Sequence, residues 1–299
     1  MNISALGYVV IGTTDFARWH HFGTEILGMQ AISGEENRLC LKMDERHHRY
    51  LILPHDTDKV LASGWEMANQ DDYDTAISTL SDAGLHLQPA SEEEKAMRWV
   101  QDYFSVTDPS GNNIEVFWGP KGDFARMNSP IGVKGFVTGD LGMGHIVLPS
   151  TNFDASIKFW VDVMGLGLSD FIHYDMGADQ DLVRINFLHC NNARQHSLAL
   201  VEMDNPAGCD HLLVEVQDFD EVGRGLYRAE DNNIDLQVTL GRHINDDMVS
   251  FYMYSPGGFA IEYGAGGKLI EDWATHQVFE ATQGSHWGHR FVAGSRPIE

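Results

Sequence analysis

The chain has 299 residues, 43% of them hydrophobic, which is enough for two domains of ordinary size with a sizeable core. Its 44 acidic and 20 basic residues give a net charge of −24, which argues against nucleic acid as a partner and against anionic membrane surfaces. No apolar run approaches the roughly 20 residues of a membrane helix. The start, Met1 to Ala5, lacks the basic-then-apolar pattern of a secretion signal, and three scattered cysteines, Cys40, Cys190 and Cys209, fit a reducing cytoplasm.

In chain order, residues 7–11 form an apolar, β-branched run that predicts a strand. Asp15 then offers an N-cap to a helix whose apolar face carries Phe16, Trp19, Phe22 and Ile26, and Gly28 suits the left-handed residue after its end. Strands are expected at residues 38–43, 49–53, 102–107 and 114–118, and a helix at 71–83. The segment 127–140 interrupts all periodicity with Asn, Ser, Pro and Gly, so the boundary is set between domains 1–135 and 136–299. The pattern then recurs. A strand ends near Leu148, Asn152 or Asp154 caps a helix with Ile157, Trp160 and Met164 on its apolar face, and Gly165 follows. Further strands are expected at 184–189, 197–201, 211–216 and 260–263, a helix at 218–232, and a loop at 171–180. The tail beyond Gly267 holds Trp273 and Trp287 and is expected to fold back onto the body.

The recurrence is a duplication of an α+β scaffold. Leu6-Gly7-Tyr8-Val9-Val10-Ile11 matches Met143-Gly144-His145-Ile146-Val147-Leu148, and Asp108-Pro109-Ser110-Gly111 leads to Glu115 as Ser255-Pro256-Gly257-Gly258 leads to Glu262. The second copy has His145 where the first has Tyr8. Side chains that could converge on His145 from neighbouring strands are His189, His196, His211 and Glu262. A carboxylate among apolar neighbours needs a partner when buried, and a metal or an Arg would serve. Two imidazoles and one carboxylate make the facial triad of non-haem iron(II), with coordination positions left open. Counting back from Glu115, the first copy offers only Ser63-Gly64-Trp65 in place of His211, so Glu115 is expected to be an ordinary salt-bridged edge residue in a vestigial module.

The run Gly241-Arg242-His243-Ile244-Asn245-Asp246-Asp247-Met248-Val249-Ser250-Phe251-Tyr252, followed by Ser255-Pro256-Gly257-Gly258-Phe259 and Glu262, resembles the signature of type I extradiol ring-cleavage dioxygenases of the vicinal oxygen chelate superfamily. Residues 141–145 and 187–191, Arg194, and His196-Ser197-Leu198-Ala199 match the same family. The run 191–195 is one residue longer than the usual pattern, and Asp247 stands where a His is common. The resemblance implies two tandem modules, each of paired βαβββ units forming a cupped, partly open mixed β-barrel. It implies iron(II) as cofactor, with His145, His211 and Glu262 as ligands. It implies that His196, His243 and Tyr252 handle protons and hydrogen-bond the catecholate, and that Asn245 and Asp246 line the pocket edge. The partners are then a catecholic substrate and dioxygen, and the assembly a homo-oligomer. The reaction is meta-cleavage of a substituted or bicyclic catechol of the 2,3-dihydroxybiphenyl or 1,2-dihydroxynaphthalene kind, with catecholic secosteroids as the alternative. Apolar candidates for the substrate wall are Val147, Leu188, Phe171, Met176 and Trp287. Rival readings are an isomerase, epimerase or thiol transferase using another divalent metal, and a non-catalytic drug-binding module; the 241–252 run argues against the first, and the pair of His ligands with Glu262 against the second.

Overall fold

Two mixed β-sheets, one for each copy of the repeat, carry the fold of the computed structural model, which describes residues 1–34, 37–174 and 182–292. The first contains β1 (Ile3–Thr13), β2 (Gln30–Ala31), β3 (Leu39–Lys42), β4 (Tyr50–Pro54), β5 (Lys59–Met67), β6 (Gln88–Pro89), β7 (Asp102–Thr107) and β8 (Asn113–Trp118), in the order β2-β3-β4-β1-β5-β8-β7-β6. The second contains β9 (Ile146–Pro149), β10 (Gly167–Tyr174), β11 (Val183–His189), β12 (Leu198–Val201), β13 (His211–Glu215), β14 (Leu236–His243), β15 (Val249–Tyr254), β16 (Ala260–Ala265), β17 (Glu280–Ala281) and β18 (Ser285–Trp287), in the order β17-β10-β11-β12-β9-β13-β16-β15-β14-β18. The central pairings are identical. β1 runs parallel to β4 and antiparallel to β5, which is parallel to β8; β9, β12, β13 and β16 repeat this.

The helices are α1 (Phe16–His21), α2 (Gln70–Asp82), α3 (Glu92–Arg98), α4 (Phe153–Lys158) and α5 (Phe219–Asp231). Asp15 caps α1 by accepting from the Ala17 and Arg18 amides, as its position predicts. Asn152 precedes α4 but makes no side-chain cap bond. Both α1 and α4 pass into a wide turn in which Leu27 N bonds Phe22 O and Met164 N bonds Phe159 O, five residues back. Gly28 and Gly165 follow with φ of 76° and 81°, the left-handed conformation that favours glycine. The expected strands give no range for β2, β5, β6, β10, β14, β15, β17 and β18, nor a helix at α3, and the expected loop at 171–180 is corrected: Phe171 to Tyr174 complete β10, and residues 175–180 lie outside the described residues.

Period-two alternation sends the strand side chains to two faces. One face of both sheets joins a single apolar core that includes Leu41, Tyr50, Ile146, Leu188, Leu198 and Leu200, with Trp65 of the first module 5.0 Å from Trp160 of the second. Each fully buried aliphatic or aromatic side chain there contributes about 1.5–3 kcal/mol. The other face differs between the modules. In the first it is filled by Tyr8, Val10, Cys40, Leu51, Ala62 and Phe117; in the second, Val147, Ala199 and Val201 look into a cavity. The tail pairs with both outer strands of the second sheet, β17 with β10 and β18 with β14, so it covers edges that would otherwise be open. Trp273 stacks on His189 and donates to Asn192 O. The three cysteines are buried and free, and no helix among the described residues is long and apolar enough to cross a membrane.

Candidate active site

His145 enters from the residue before β9, His211 from the first residue of β13, and Glu262 from the middle of β16. β13 lies between β9 and β16, pairing His211 with Val147 and Leu213 with Glu262, so the three side chains emerge on one face. Gly144 makes this approach close: it has φ of 136°, and a Cβ there would stand 2.2 Å from Leu213 O. His145 Nε2 lies 3.2 Å from His211 Nε2 and 3.1 Å from Glu262 Oε2, and His211 Nε2 lies 3.6 Å from the same oxygen. Three ligands at right angles around one ion, with bonds of about 2.1 Å, would sit about 3 Å apart, so the donor set and its spacing fit a divalent ion held on one octahedral face. The protonation states also fit. Burial pulls His145 down to about 4, against the partly offsetting Glu262 charge, so it is neutral near pH 7. Burial would raise Glu262, but its contacts with His145 and His243 hold it well below the usual carboxylate range.

A second ring of side chains orients these three. His211 Nδ1 donates to Asp210 Oδ2 at 2.7 Å, leaving the lone pair on Nε2. Ser250 donates to Glu262 Oε1 at 2.6 Å. His243 Nδ1 donates to Gly284 O, and its Nε2 lies 2.7 Å from Tyr252 Oη and 3.3 Å from Glu262 Oε1. Burial opposes the charged form of His243, but the Glu262 and Asp246 carboxylates outweigh it and raise the group to about 9. Burial drives the Tyr252 hydroxyl well above its usual value. The His196 ring stacks on His145 at 4.2 Å between centroids, and burial holds it well below an ordinary histidine. Burial lifts Asp246, 4.0 Å from His196 Nδ1, to about 6.

These groups share a cavity of about 680 Å³. Val147, Asn245 and Asp246 line it, as the sequence reading expects. Leu188 does not, which is a correction: Val183, Ile185 and Phe187 alternate into the cavity, so the next residue points into the core. Phe171 and Trp287 are also absent from the lining, and Met176 lies outside the described residues. His189 bonds Cys190 O and stacks on Trp273 away from the site. The sequence reading missed Asp210 and Ser250, and from the tail it named Trp287 where Ala281, Gly284, Ser285, His289 and Phe291 form the wall. Asp210 was legible as a carboxylate adjoining a candidate ligand; the tail carries no periodic signal.

The first module shows the same positions differently occupied. Tyr8 donates to Glu115 Oε2 at 2.7 Å, and Arg98 grips the carboxylate with Nε at 3.0 Å and Nη2 at 2.7 Å. Glu115 is therefore salt-bridged, as expected, but it is 2% exposed on an interior strand rather than at an edge. The expected match of Ser63 to Trp65 with His211 is corrected too. Gly64 pairs with Glu115 as Leu213 pairs with Glu262, so the counterpart of His211 is Ala62, two residues earlier on its strand.

Residues 142–263 match the family described as the glyoxalase/bleomycin resistance protein/dioxygenase superfamily, and residues 6–54 match that described as dihydroxybiphenyl dioxygenase BphC D1. The chain is 39% identical over 305 residues to an iron-dependent extradiol dioxygenase of Rhodococcus jostii, covering 99% of this chain and 100% of that protein. It is 32% identical to a biphenyl-2,3-diol 1,2-dioxygenase of Metapseudomonas furukawaii, covering 98% of this chain and 95% of that one. Among solved structures, a halotolerant catechol dioxygenase superposes with a TM-score of 0.90 at 31% identity, covering 99% of this chain and 97% of that one.

Proposed function

The chain belongs to the extradiol dioxygenases of the glyoxalase/bleomycin resistance protein/dioxygenase superfamily, enzymes that cleave catechols with dioxygen using iron(II), and from that premise we propose which of its residues act and on which catechols. The observation that carries the proposal is the triangle of His145 Nε2, His211 Nε2 and Glu262 Oε2, with sides of 3.1–3.6 Å, at the wall of a 680 Å³ cavity. These three residues hold iron(II). Bound there, the ion supplies Lewis acidity and the electron path between catechol and dioxygen.

The protein's part is to bind, orient and move protons. One carboxylate against a divalent ion leaves a single positive charge, which suits a catechol monoanion. Tyr252 Oη and His243 Nε2 hydrogen-bond the catechol oxygens and fix the ring plane. Asp210 keeps the His211 lone pair aimed at the ligand site, and Ser250 does the same for Glu262. His196 is neutral near pH 7 and takes and returns a proton, a contribution of about 10²–10⁴-fold. Asn245 and Asp246 line the pocket edge beside it. Division of labour follows the modules, with 1–135 structural and 136–299 catalytic.

The cavity is large for one aromatic ring and lies mid-range for pockets holding drug-sized ligands of roughly 300–1,000 Å³. Its walls of Val147, Ile172, Val183, Ile185, Phe187 and Val201 are apolar. The substrate is accordingly a catechol with a bulky apolar substituent, of the 2,3-dihydroxybiphenyl kind. Protein reconstituted anaerobically with iron(II) should consume dioxygen and form a yellow ring-opened acid from 2,3-dihydroxybiphenyl, with kcat/KM above that for catechol itself. Preference for unsubstituted catechol overturns the substrate assignment, and undiminished iron binding by His145→Ala overturns the ligand assignment.

A further inference from the structure

His196 is held from behind by two side chains that the mechanism above does not use. Its Nδ1 lies 2.6 Å from Gln195 Oε1, and Gln195 Nε2 donates to Asp170 Oδ2 at 2.8 Å. Exposures of 4%, 2% and 0% for His196, Gln195 and Asp170 leave no room for solvent to substitute. The arrangement is anchored at both ends. Asp170 sits within β10, and Ser169 donates to the main-chain oxygen of Gln195 at 2.5 Å.

With Asp170 ionised, donor and acceptor chemistry fixes the direction of this chain of bonds. An ionised carboxylate only accepts, so the amide nitrogen of Gln195 must face Asp170 and the amide oxygen must face His196. A carbonyl oxygen also only accepts, so the hydrogen of a neutral His196 must sit on Nδ1. Its lone pair then lies on Nε2, on the far side of the ring from Gln195. The first module offers a contrast. The residues aligned with Gln195 and His196 are His47 and His48, whose Nδ1 atoms lie 2.9 Å apart, and two imidazoles can exchange donor and acceptor roles without fixing either tautomer.

We infer that Gln195, itself oriented by Asp170, is a positioning residue that selects the Nδ1–H tautomer of His196 and so presents Nε2 as the proton acceptor. This rests on His196 being the acid–base residue. Removing the acceptor from Nδ1 lets the ring take the other tautomer or rotate, either of which turns the lone pair away from the substrate.

The test uses the iron-reconstituted enzyme with 2,3-dihydroxybiphenyl. Assays run well above pH 7 keep Asp170 accepting, since burial and the neighbouring Asp246 raise it to about 7. Gln195→Met keeps the volume and removes the acceptor, so kcat should fall about 10²-fold, with KM and iron content within about twofold of the parent. The double variant Asp170→Asn, Gln195→Glu exchanges acid and amide. The new carboxylate accepts from Nδ1–H and from the new amide, so it should recover kcat to within about fivefold of the parent. A Gln195→Met enzyme with parental kcat overturns the inference, as does a loss that the double variant does not recover. His196→Ala separates the two levels. If it turns over normally, the acid–base reading fails; if it is slow while Gln195→Met is normal, only the positioning inference fails.

Discussion

Two modules share one frame and treat one buried carboxylate in opposite ways. Arg46 pairs with Glu66 in the first and Arg194 with Glu215 in the second, at matching register positions, so the frame around each site is conserved inside the molecule. Glu262 faces three imidazole nitrogens and an open cavity; Glu115 faces a phenol and a guanidinium, with Phe117 and Val10 filling the space. A buried carboxylate must be compensated in either case. The first module does so with a covalently tethered cation, which is permanent and inert. In the second, His243 offsets part of the Glu262 charge, and Glu262 together with His145 and His211 forms a donor set that fits a divalent ion. Gly64 marks the divergence: its Cβ would stand 2.5 Å from the Tyr8 ring, so the phenol has moved over the very position that its counterpart Leu213 occupies in the second sheet.

His145→Ala should abolish iron binding, read by metal content after anaerobic reconstitution, together with all turnover. Arg98→Ala makes the opposite perturbation. It strands the Glu115 charge and should cost about 3–5 kcal/mol in urea unfolding, while kcat per iron-loaded molecule stays unchanged; a lost kcat with intact iron would mean that the first module is not inert. Asp210→Asn weakens only the orientation of His211 and should reduce iron affinity about 10–100-fold by competition titration. Tyr8→Phe removes one hydrogen bond to a charged group and should cost about 1.5 kcal/mol without touching activity. The smallest effect concerns acid. Burial would raise Asp58, but the bonds it accepts from Thr14 N and the Thr13 and Thr14 hydroxyls together outweigh it and hold the group below its ordinary value. A depressed folded value means that the stabilisation is complete above the unfolded pKa of about 3.9 and is lost as the pH falls through the folded one. Asp58→Asn should therefore cost about 1 kcal/mol near neutrality, and its gap from the parent should narrow as the pH falls below the unfolded value.

Much of this was legible because turn chemistry and periodicity are local. The Gly28 and Gly165 helix ends, the Asp15 cap and the helices near residues 71–83 and 218–232 are each set by neighbouring residues. Register is not local. Counting back from Glu115 landed on Gly64 rather than Ala62, because connections of different length separate the paired strands in the two modules. Leu188 was misplaced although the signal was present: once Phe187 faces the cavity, its neighbour cannot. Asp170 and Gln195 were invisible, since only pairing of β10 with β11, and of β11 with β12, brings the acid to the amide. His289 reaches Ser250 and His243 through a strand of three residues whose composition resembles a loop.

The position of that tail has a consequence for how the enzyme is made. A ribosome delivers His145, then His211, then Glu262, and the cavity rim at Ala281 to Phe291 last of all. N-terminal domains generally fold first during synthesis. On that order the first module, with its built-in cation, would be made before any of the three proposed iron ligands, while the core it shares with the second module awaits the second sheet. All three proposed ligands would be present only once Glu262 has been made, and a chain cut short after Glu262 would carry them in a basin without its far wall.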